Sequence, residues 1–389
     1  MTKKLTYLSA AAVALVYGAP TDDLVSELPG MDQFTFNAYS GYLNVGSTTK
    51  SLHYMFVESQ NDPTTDPVLI WFNGGPGCSS MLGWIQEHGP YVMESGTDYF
   101  HKNEYSWNNF ANVLYIESPG GVGYSTCSGK ECIFDDNNSA QDNLDAILYF
   151  YNEKFPEFKS HDLYISGESY AGIYVPYVVN AMDEYIQNNK YTEGAFIPNL
   201  KGFMVGNGCT NWDVDTTPAY VEMGFWHGLY DTETYNKITE NNCEAQYSQF
   251  SEEELTAPCI EALIRFEKLT TNINVYGVYE TCWSSNASSS AEAETKEDHF
   301  QLYEPELGLA KVGSKIDTYK KSYTSRDYTP WAFKKIDEAK KASKKLTELP
   351  PCTFGDPIIA YLNRDDVRSL LHIPSDVQAW DFCTEKIEY

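Results

Sequence analysis

A serine between small residues is the first candidate for chemistry in this chain. Residues 167–172 read GESYAG, so Ser169 has Gly167 two positions before it and Ala171 two positions after it. Small residues at these positions let a chain turn sharply from a strand into a helix and leave the serine hydroxyl exposed at the turn. The pattern predicts a serine nucleophile, and the alternative is a turn with only a structural role.

A glycine-rich loop is the second candidate. Residues 73–77 read NGGPG and follow the apolar run at 67–72. Because glycine allows a backbone to approach a substrate closely, this loop could offer N–H groups to developing negative charge. Ser169 would stand at the amino end of a helix, where N–H groups and the helix dipole also favour negative charge. The two motifs together predict an oxyanion-binding site beside a nucleophile.

These motifs require strands that end in turns. Short apolar runs predict such strands at residues 67–72, 112–117, 162–166 and 201–205. Apolar residues at helical spacing in 140–151, and the long stretch 170–188, predict helices between them. Strands that alternate with helices predict an α/β fold with a largely parallel central sheet flanked by helices.

The pattern changes after Gly208. Residues up to about 350 are polar, contain cysteines and are rich in helix formers, which predicts an inserted helical cap. The sheet pattern is expected to resume at the apolar run 358–362. The expected division is a signal peptide at 1–18, an α/β core at 19–207, a cap at 208–354 and an incomplete return to the core at 355–389.

The charge of the chain excludes some function classes. Lysine and arginine number 27 against 55 aspartate and glutamate, which gives a formal charge of −28. Nucleic-acid binders need a basic face, and so does adhesion to anionic membranes, so neither partner is expected. Carboxylates repel one another less at acidic pH, so the composition fits an acidic compartment.

The amino end and the cysteines indicate the secretory pathway. Lys3 and Lys4 precede an apolar run at 5–17 and the small residue Gly18, which is the order of a signal peptide. The alternative is a membrane anchor, but the run is shorter than the ~20 residues that a span needs. In an oxidising compartment the nine cysteines are disulfide candidates, and no zinc-ligand spacing is present. Asn137 and Asn286 begin glycosylation sequons.

Four segments in order resemble the signature segments of the serine carboxypeptidases, a family of secreted, vacuolar and lysosomal enzymes. They are residues 71–80 (WFNGGPGCSS), 117–125 (ESPGGVGYS), 167–172 and 205–208 (VGNG). Together with shorter flanking segments, the resemblance covers residues 24–383. It implies an α/β-hydrolase fold with a helical cap, and a peptidase that releases C-terminal amino acids through an acyl-enzyme without a cofactor.

The resemblance also implies roles for individual residues. Ser169 matches the nucleophile, and the backbone N–H groups of Gly75 and Tyr170 match the oxyanion hole. The set that matches the binding site for the substrate's terminal carboxylate is Trp71, Asn73, Glu87 and Glu168. Two carboxyls held close together cannot both ionise easily, so one keeps a proton and can donate a hydrogen bond. We therefore expect peptidase activity to favour acidic pH.

The resemblance implies a disulfide pattern as well. The implied pairs are Cys78 with Cys383, Cys243 with Cys259, and Cys282 with Cys352. Cys127 and Cys132 could close a small loop of their own, which leaves Cys209 over.

The family's catalytic aspartate and histidine are not matched. They lie several dozen residues beyond the match to Cys383, whereas this sequence stops at Tyr389. The histidines after Ser169 have different surroundings; they are His227, His299 and His372. We therefore expect a fragment or an incomplete gene model that lacks the last strands and is inactive as it stands.

Two other functions remain open. Some relatives pass the acyl group to an alcohol instead of water, so the chain could be an acyltransferase. A pseudoenzyme or protective binding protein would hold peptide C-termini without cutting them. The expected partners are peptide or protein C-termini. A second copy of the chain, in a homodimer, is a further candidate partner. The expected location is the lysosome, the vacuole or the outside of the cell.

Overall fold

The computed structural model describes residues 19–93, 99–211, 214–243, 255–270, 273, 278–279, 302–304, 309–311 and 356–384. The expected signal peptide, the sequon at Asn286 and the expected pair Cys282–Cys352 lie outside these residues. So does His299. None of the helices in the described part is long and apolar enough to cross a membrane.

A six-stranded sheet forms the centre of the molecule. The strands of the chain in order are β1 (Ala38–Asn44), β2 (Ser51–Val57), β3 (Val68–Phe72), β4 (Tyr91–Met93), β5 (Phe100–Lys102), β6 (Asn112–Ile116), β7 (Asp162–Glu168), β8 (Asn199–Gly206), β9 (Leu302–Glu304) and β10 (Leu309–Lys311). The central sheet runs β1-β2-β6-β3-β7-β8, while β4 pairs with β5 and β9 with β10.

Most of the central sheet is parallel, as the sequence predicts. β6, β3, β7 and β8 run parallel, and β1 and β2 add an antiparallel edge. Every residue of β3 and β6 is buried. Strands covered on both faces have continuous apolar sequences, and this explains why the two runs were visible in the sequence.

Helices cover both faces of the sheet. The helices are α1 (Asp136–Tyr149), α2 (Ala171–Asn189), α3 (Thr216–Trp226), α4 (Thr232–Glu240), α5 (Ala257–Thr270), α6 (Asp356–Leu362) and α7 (Asp365–Leu370). α1 and α2 pack with Ile70 and Leu114 on one face, and α6 and α7 pack with Leu69 and Tyr115 on the other. The side chain of Asp135 caps α1 by accepting from the backbone N–H of Asn138.

Three helices in the expected cap region form a core of their own. α3, α4 and α5 pack around Val221, Ile238 and Phe266. The disulfide between Cys243 and Cys259 lies in this cluster. The boundaries of the cap at 208 and 354 stay a prediction.

The expectation that the sheet pattern resumes at 358–362 is wrong. These residues belong to the helix α6. Ile358, Tyr361 and Leu362 are spaced three and four residues apart, so a helix places them on one face, and all three are buried against the second face of the sheet. A short apolar run does not distinguish a strand from a buried helix, and here packing decides.

The described cysteines form three disulfides. Cys78 pairs with Cys383, Cys127 with Cys132, and Cys243 with Cys259, and these are pairs that the sequence analysis gave. Cys209 is a free thiol.

A buried hydrogen-bond network joins the last described segment to the sheet. The Glu117 carboxylate lies 2.8 Å from His53 Nδ1 and accepts from Trp380 Nε1, also at 2.8 Å. On the other side of the imidazole, Nε2 lies 2.9 Å from the Ser40 hydroxyl, which donates to the Leu371 carbonyl. The network therefore connects β1 and β2 with residues 371–380.

Candidate active site

Ser169 lies in the turn between β7 and α2, as its motif requires. Its backbone has φ = +58°, in the left-handed region that residues other than glycine seldom occupy. A Cβ on Gly167 would lie 2.6 Å from the Ala171 side chain and 2.4 Å from the Phe72 carbonyl oxygen. Because there is no room for larger groups, the small residues of the motif are a packing requirement. The Ser169 side chain itself is half-buried and reachable.

The glycine-rich loop packs directly against this turn. A Cβ on Gly74 would lie 2.4 Å from the backbone nitrogen of Tyr170 and 2.9 Å from the Ser169 Cβ. Gly75 follows with φ = +117°, which favours glycine. The loop after β3 and the turn after β7 therefore meet at the carboxyl edge of the parallel strands.

The four residues expected at the carboxylate-binding site lie together. The side-chain nitrogen of Asn73 lies 2.9 Å from Oε1 of Glu87 and 2.9 Å from Oε1 of Glu168. The side-chain oxygen of Asn73 accepts from Trp71 Nε1 at 2.8 Å and from the Gly83 backbone N–H at 3.0 Å. Asn73 is thus oriented by two donors so that its own amide faces both acids.

The two carboxyls disfavour each other's ionisation. Solvent reaches the Glu87 side chain, but protein atoms surround it on most sides, and the loss of hydration raises its pKa. The negative charge of Glu168 raises it further, while Asn73 opposes the shift. Loss of hydration also raises the pKa of the half-buried Glu168. The pair therefore holds a proton at a pH where separate glutamates would not.

The neutral histidine His88 packs against Trp71, one of the four residues of this cluster. His88 follows Glu87 and is stacked on Trp107 with ring centroids 4.0 Å apart, while the Trp71 ring meets it edge-on at 4.3 Å. Burial lowers the pKa of His88 to about 3, so its ring carries no charge at pH 5. Its Nδ1 lies 3.1 Å from the Tyr115 hydroxyl. His88 therefore supports Trp71 by packing and does not neutralise the acids.

Cys209 lies beside Ser169, which the sequence analysis missed. The Cys209 N–H donates to the Ser169 carbonyl at 2.8 Å, and the Ser169 side chain favours the ionised thiol and so acts to lower its pKa. Burial raises the pKa of the thiol. The signal was present, because Cys209 follows β8, and parallel strands end at the same edge of a sheet.

The described histidines after Ser169 make other contacts. His227 Nδ1 lies 2.8 Å from the Met223 carbonyl, and His372 Nε2 lies 3.1 Å from the Leu24 carbonyl. Asn137 is exposed at the start of α1, whereas Ser139 of the same sequon is buried. Within the described ranges, no group of three His, Cys, Asp or Glu side chains could hold a metal ion.

The sheet order, the serine turn and the flanking helices define an α/β hydrolase. The yeast protein Kex1(delta)p, described as a prohormone-processing carboxypeptidase from Saccharomyces cerevisiae, has a similar fold. The two structures match with a TM-score of 0.56 and 21% identity over 95% of this chain and 71% of that one.

The chain belongs to the serine carboxypeptidase family. The profile of that family matches residues 29–389. Serine carboxypeptidase ctsa-4.1 of Caenorhabditis elegans is 34% identical over 98% of this chain and 73% of its own length. The lysosomal protective protein of Mus musculus is 33% identical over 94% of this chain and 70% of its own length. The enzyme class is therefore a serine-type carboxypeptidase, a hydrolase that acts on peptides, and the acyltransferase alternative is not better supported.

Proposed function

We propose that Ser169 is the nucleophile that releases C-terminal amino acids from peptides. The observation that carries the proposal is that Asn73 contacts both Glu87 and Glu168, and Glu168 directly precedes Ser169 in the chain. A pair of acids that can recognise a chain end is thereby held beside a group that can attack a carbonyl. That arrangement suits an exopeptidase, which cuts the last peptide bond.

The acid pair would bind the terminal carboxylate of the substrate. Two ionised glutamates would repel that carboxylate, whereas a pair that keeps a proton can donate a hydrogen bond to it. The buried Asn73 holds the pair in place, and the buried Trp71 orients Asn73 by donating to its side-chain oxygen. Binding is then strongest at acidic pH, where the proton is present.

The reaction would proceed through an ester of Ser169. The serine oxygen forms a bond with the acyl carbon of the substrate, and the carbonyl oxygen becomes negative. The N–H groups of Gly75 and Tyr170 would stabilise that oxyanion by donating to it. The C–N bond then breaks as the leaving nitrogen takes up the proton that the serine hydroxyl loses, and the free amino acid departs. Water then hydrolyses the ester, which frees the acid product and restores the serine hydroxyl.

Cleavage of matched peptides tests this proposal. An N-blocked dipeptide and the same dipeptide with a C-terminal amide are incubated at pH 5 with the protein expressed from its complete gene, because the 389-residue chain alone is expected to be inactive. Released amino acids are measured by mass spectrometry. We expect cleavage of the free acid only, and its loss in Ser169→Ala but not in the exposed control Ser128→Ala. Release by Ser169→Ala would overturn the proposal.

The same assay separates the alternatives. With an alcohol added, transfer of the acyl group to the alcohol in preference to water would favour the acyltransferase. Binding of the free-acid dipeptide without release or transfer would favour the pseudoenzyme that holds peptide C-termini.

We further propose that the protein works in an acidic compartment of the secretory pathway, the lysosome or the vacuole, or after secretion. The formal charge of −28 and the proton held by the acid pair support this location. We also propose the division of the chain into signal peptide, core, cap and returning segment. In addition, we propose that the protein forms a homodimer. Microscopy of the tagged protein, sequencing of the mature amino end and light scattering of the purified protein test these points.

A further inference from the structure

The two proposed oxyanion donors lie on separate elements. Gly75 is in the loop after β3, and Tyr170 stands directly before α2. A transition-state oxyanion needs both N–H groups at about 3 Å from one point, and small misplacements reduce the rate strongly. The spacing between the donors must therefore be set by contacts between the loop and the helix.

A tyrosine hydroxyl makes such a contact. The hydroxyl of Tyr174 accepts a hydrogen bond from the backbone N–H of Gly77 at 3.2 Å. Tyr174 lies in the first turn of α2, and only 4% of its surface is exposed. Its ring packs edge-on against the Tyr170 ring with centroids 5.1 Å apart. Because the core fixes the ring, the hydroxyl is a rigid acceptor that belongs to the helix.

The other contacts at this end of the loop lead elsewhere. The Gly77 carbonyl accepts from the Thr384 N–H at 3.0 Å, and Cys78 is bonded to Cys383. These contacts attach the loop to the segment around residue 383 and not to α2. Among the contacts described for Gly77 and Cys78, the bond to the Tyr174 hydroxyl is the one that joins this end of the loop to the helix that begins after Tyr170.

We propose that Tyr174 is a positioning residue, which sets the distance between the Gly75 and Tyr170 N–H groups through its hydrogen bond to Gly77. The inference rests on the proposed function of Ser169. Without the hydroxyl, the loop can shift relative to α2. The developing oxyanion depends on both donors, whereas the substrate's terminal carboxylate is bound at Glu87 and Glu168, so the shift affects kcat more than KM.

Removal of the hydroxyl tests the inference. In Tyr174→Phe we expect kcat to fall about 10-fold or more with KM changed less than 2-fold. The rate at which a fluorophosphonate labels Ser169 should fall in parallel, because its phosphoryl oxygen needs the same donors. The matched control is Tyr151→Phe, since the Tyr151 hydroxyl is buried without a hydrogen-bond partner among the described residues. It should keep the wild-type rate.

The outcomes are distinct. Wild-type kcat and labelling rate in folded Tyr174→Phe would overturn the inference, and so would an equal loss in Tyr151→Phe. If Tyr174→Phe does not fold, hydrogen exchange in the wild-type protein decides: a Gly77 amide that exchanges as fast as a free loop amide contradicts the proposal, and slow exchange supports it. Cleavage that persists in Ser169→Ala would instead remove the proposed function itself.

Discussion

Glu87 and Glu168 both accept a hydrogen bond from the same nitrogen atom. The side-chain nitrogen of Asn73 lies 2.9 Å from a carboxyl oxygen of each. An amide nitrogen carries two hydrogens and can satisfy both acceptors, but it brings no positive charge. The repulsion between the carboxyls is therefore relieved by keeping a proton, and the affinity of the site for a chain end becomes a function of pH.

The first prediction concerns the pH dependence of substrate binding. In the wild-type enzyme, KM for a free-acid dipeptide should rise about 10-fold or more as the pH rises through the raised pKa of Glu87, because the pair loses its proton. In Glu87→Gln the amide stays neutral at every pH, so KM should change less than 3-fold between pH 5 and 8. The exposed control Glu184→Gln should retain the wild-type profile. Equal alkaline rises in KM for Glu87→Gln and wild type would contradict this role.

The second prediction concerns stability. The pKa of Glu87 is raised on folding. Its contribution to the stability of the folded state is therefore fully present when the pH is below 4.5, the ordinary pKa of the group, and is lost as the pH rises through its pKa in the folded state. Glu87→Gln should therefore be more stable than wild type at pH 8 but not at pH 4.5. Solvent reaches Glu87 and screens the effect, so we expect a gain of about 1 kcal/mol. Urea unfolding at both pH values measures it, and an equal difference at both would refute the explanation.

His88 should show the opposite dependence. Its pKa is lowered to about 3 on folding, so the unfolded chain binds the proton first and stability falls as the pH falls below about 6.5. His88→Phe keeps the stack on Trp107 but has no imidazole that can bind a proton in the unfolded chain. At pH 7.5 we expect the free energy of unfolding of the variant to be about 1 kcal/mol below that of the wild type, because the contact with Tyr115 is missing. At pH 4.5 the difference between variant and wild type should shift by about 2 kcal/mol in favour of the variant. The exposed control His101→Asn leaves His88 and its stack in place, so it should keep the wild-type fall in stability at low pH.

Cys209 offers a probe of the serine turn. A bulky maleimide on its thiol should block labelling of Ser169 by a fluorophosphonate, because the Cys209 N–H is bonded to the Ser169 carbonyl and the two residues are neighbours. Since burial raises the pKa of the thiol, alkylation should be faster at pH 9 than at pH 7. Cys209→Ser should be labelled equally before and after maleimide treatment. Full labelling of the alkylated wild-type protein would show that the thiol does not face the serine.

The sequence predicts those parts of the fold that depend on local patterns. β3 and β6 are continuous apolar runs because both faces are covered, and the small residues around Ser169 are required by its turn. Glu87 shows no local signal, since a glutamate at the end of a short helical segment (Gly83–Glu87) is ordinary, and only the family resemblance placed it at the site. The roles of His88 and Tyr174 depend on contacts with distant segments, so no local sequence pattern predicts these roles. The strand expected at 358–362 failed because the run is too short to show its period.

The network around Glu117 has a consequence for biosynthesis. The Trp380 indole that donates to this buried carboxylate, and the Leu371 carbonyl that accepts from Ser40, are translated long after the sheet they support. Ser40 and Leu371 are 331 positions apart. While the chain is still growing on the ribosome, the Glu117 side chain has its contacts with His53, Ser79 and the Tyr124 N–H but lacks its indole donor. The network that joins the first strands to the rest of the molecule is therefore completed only when almost the whole chain has emerged.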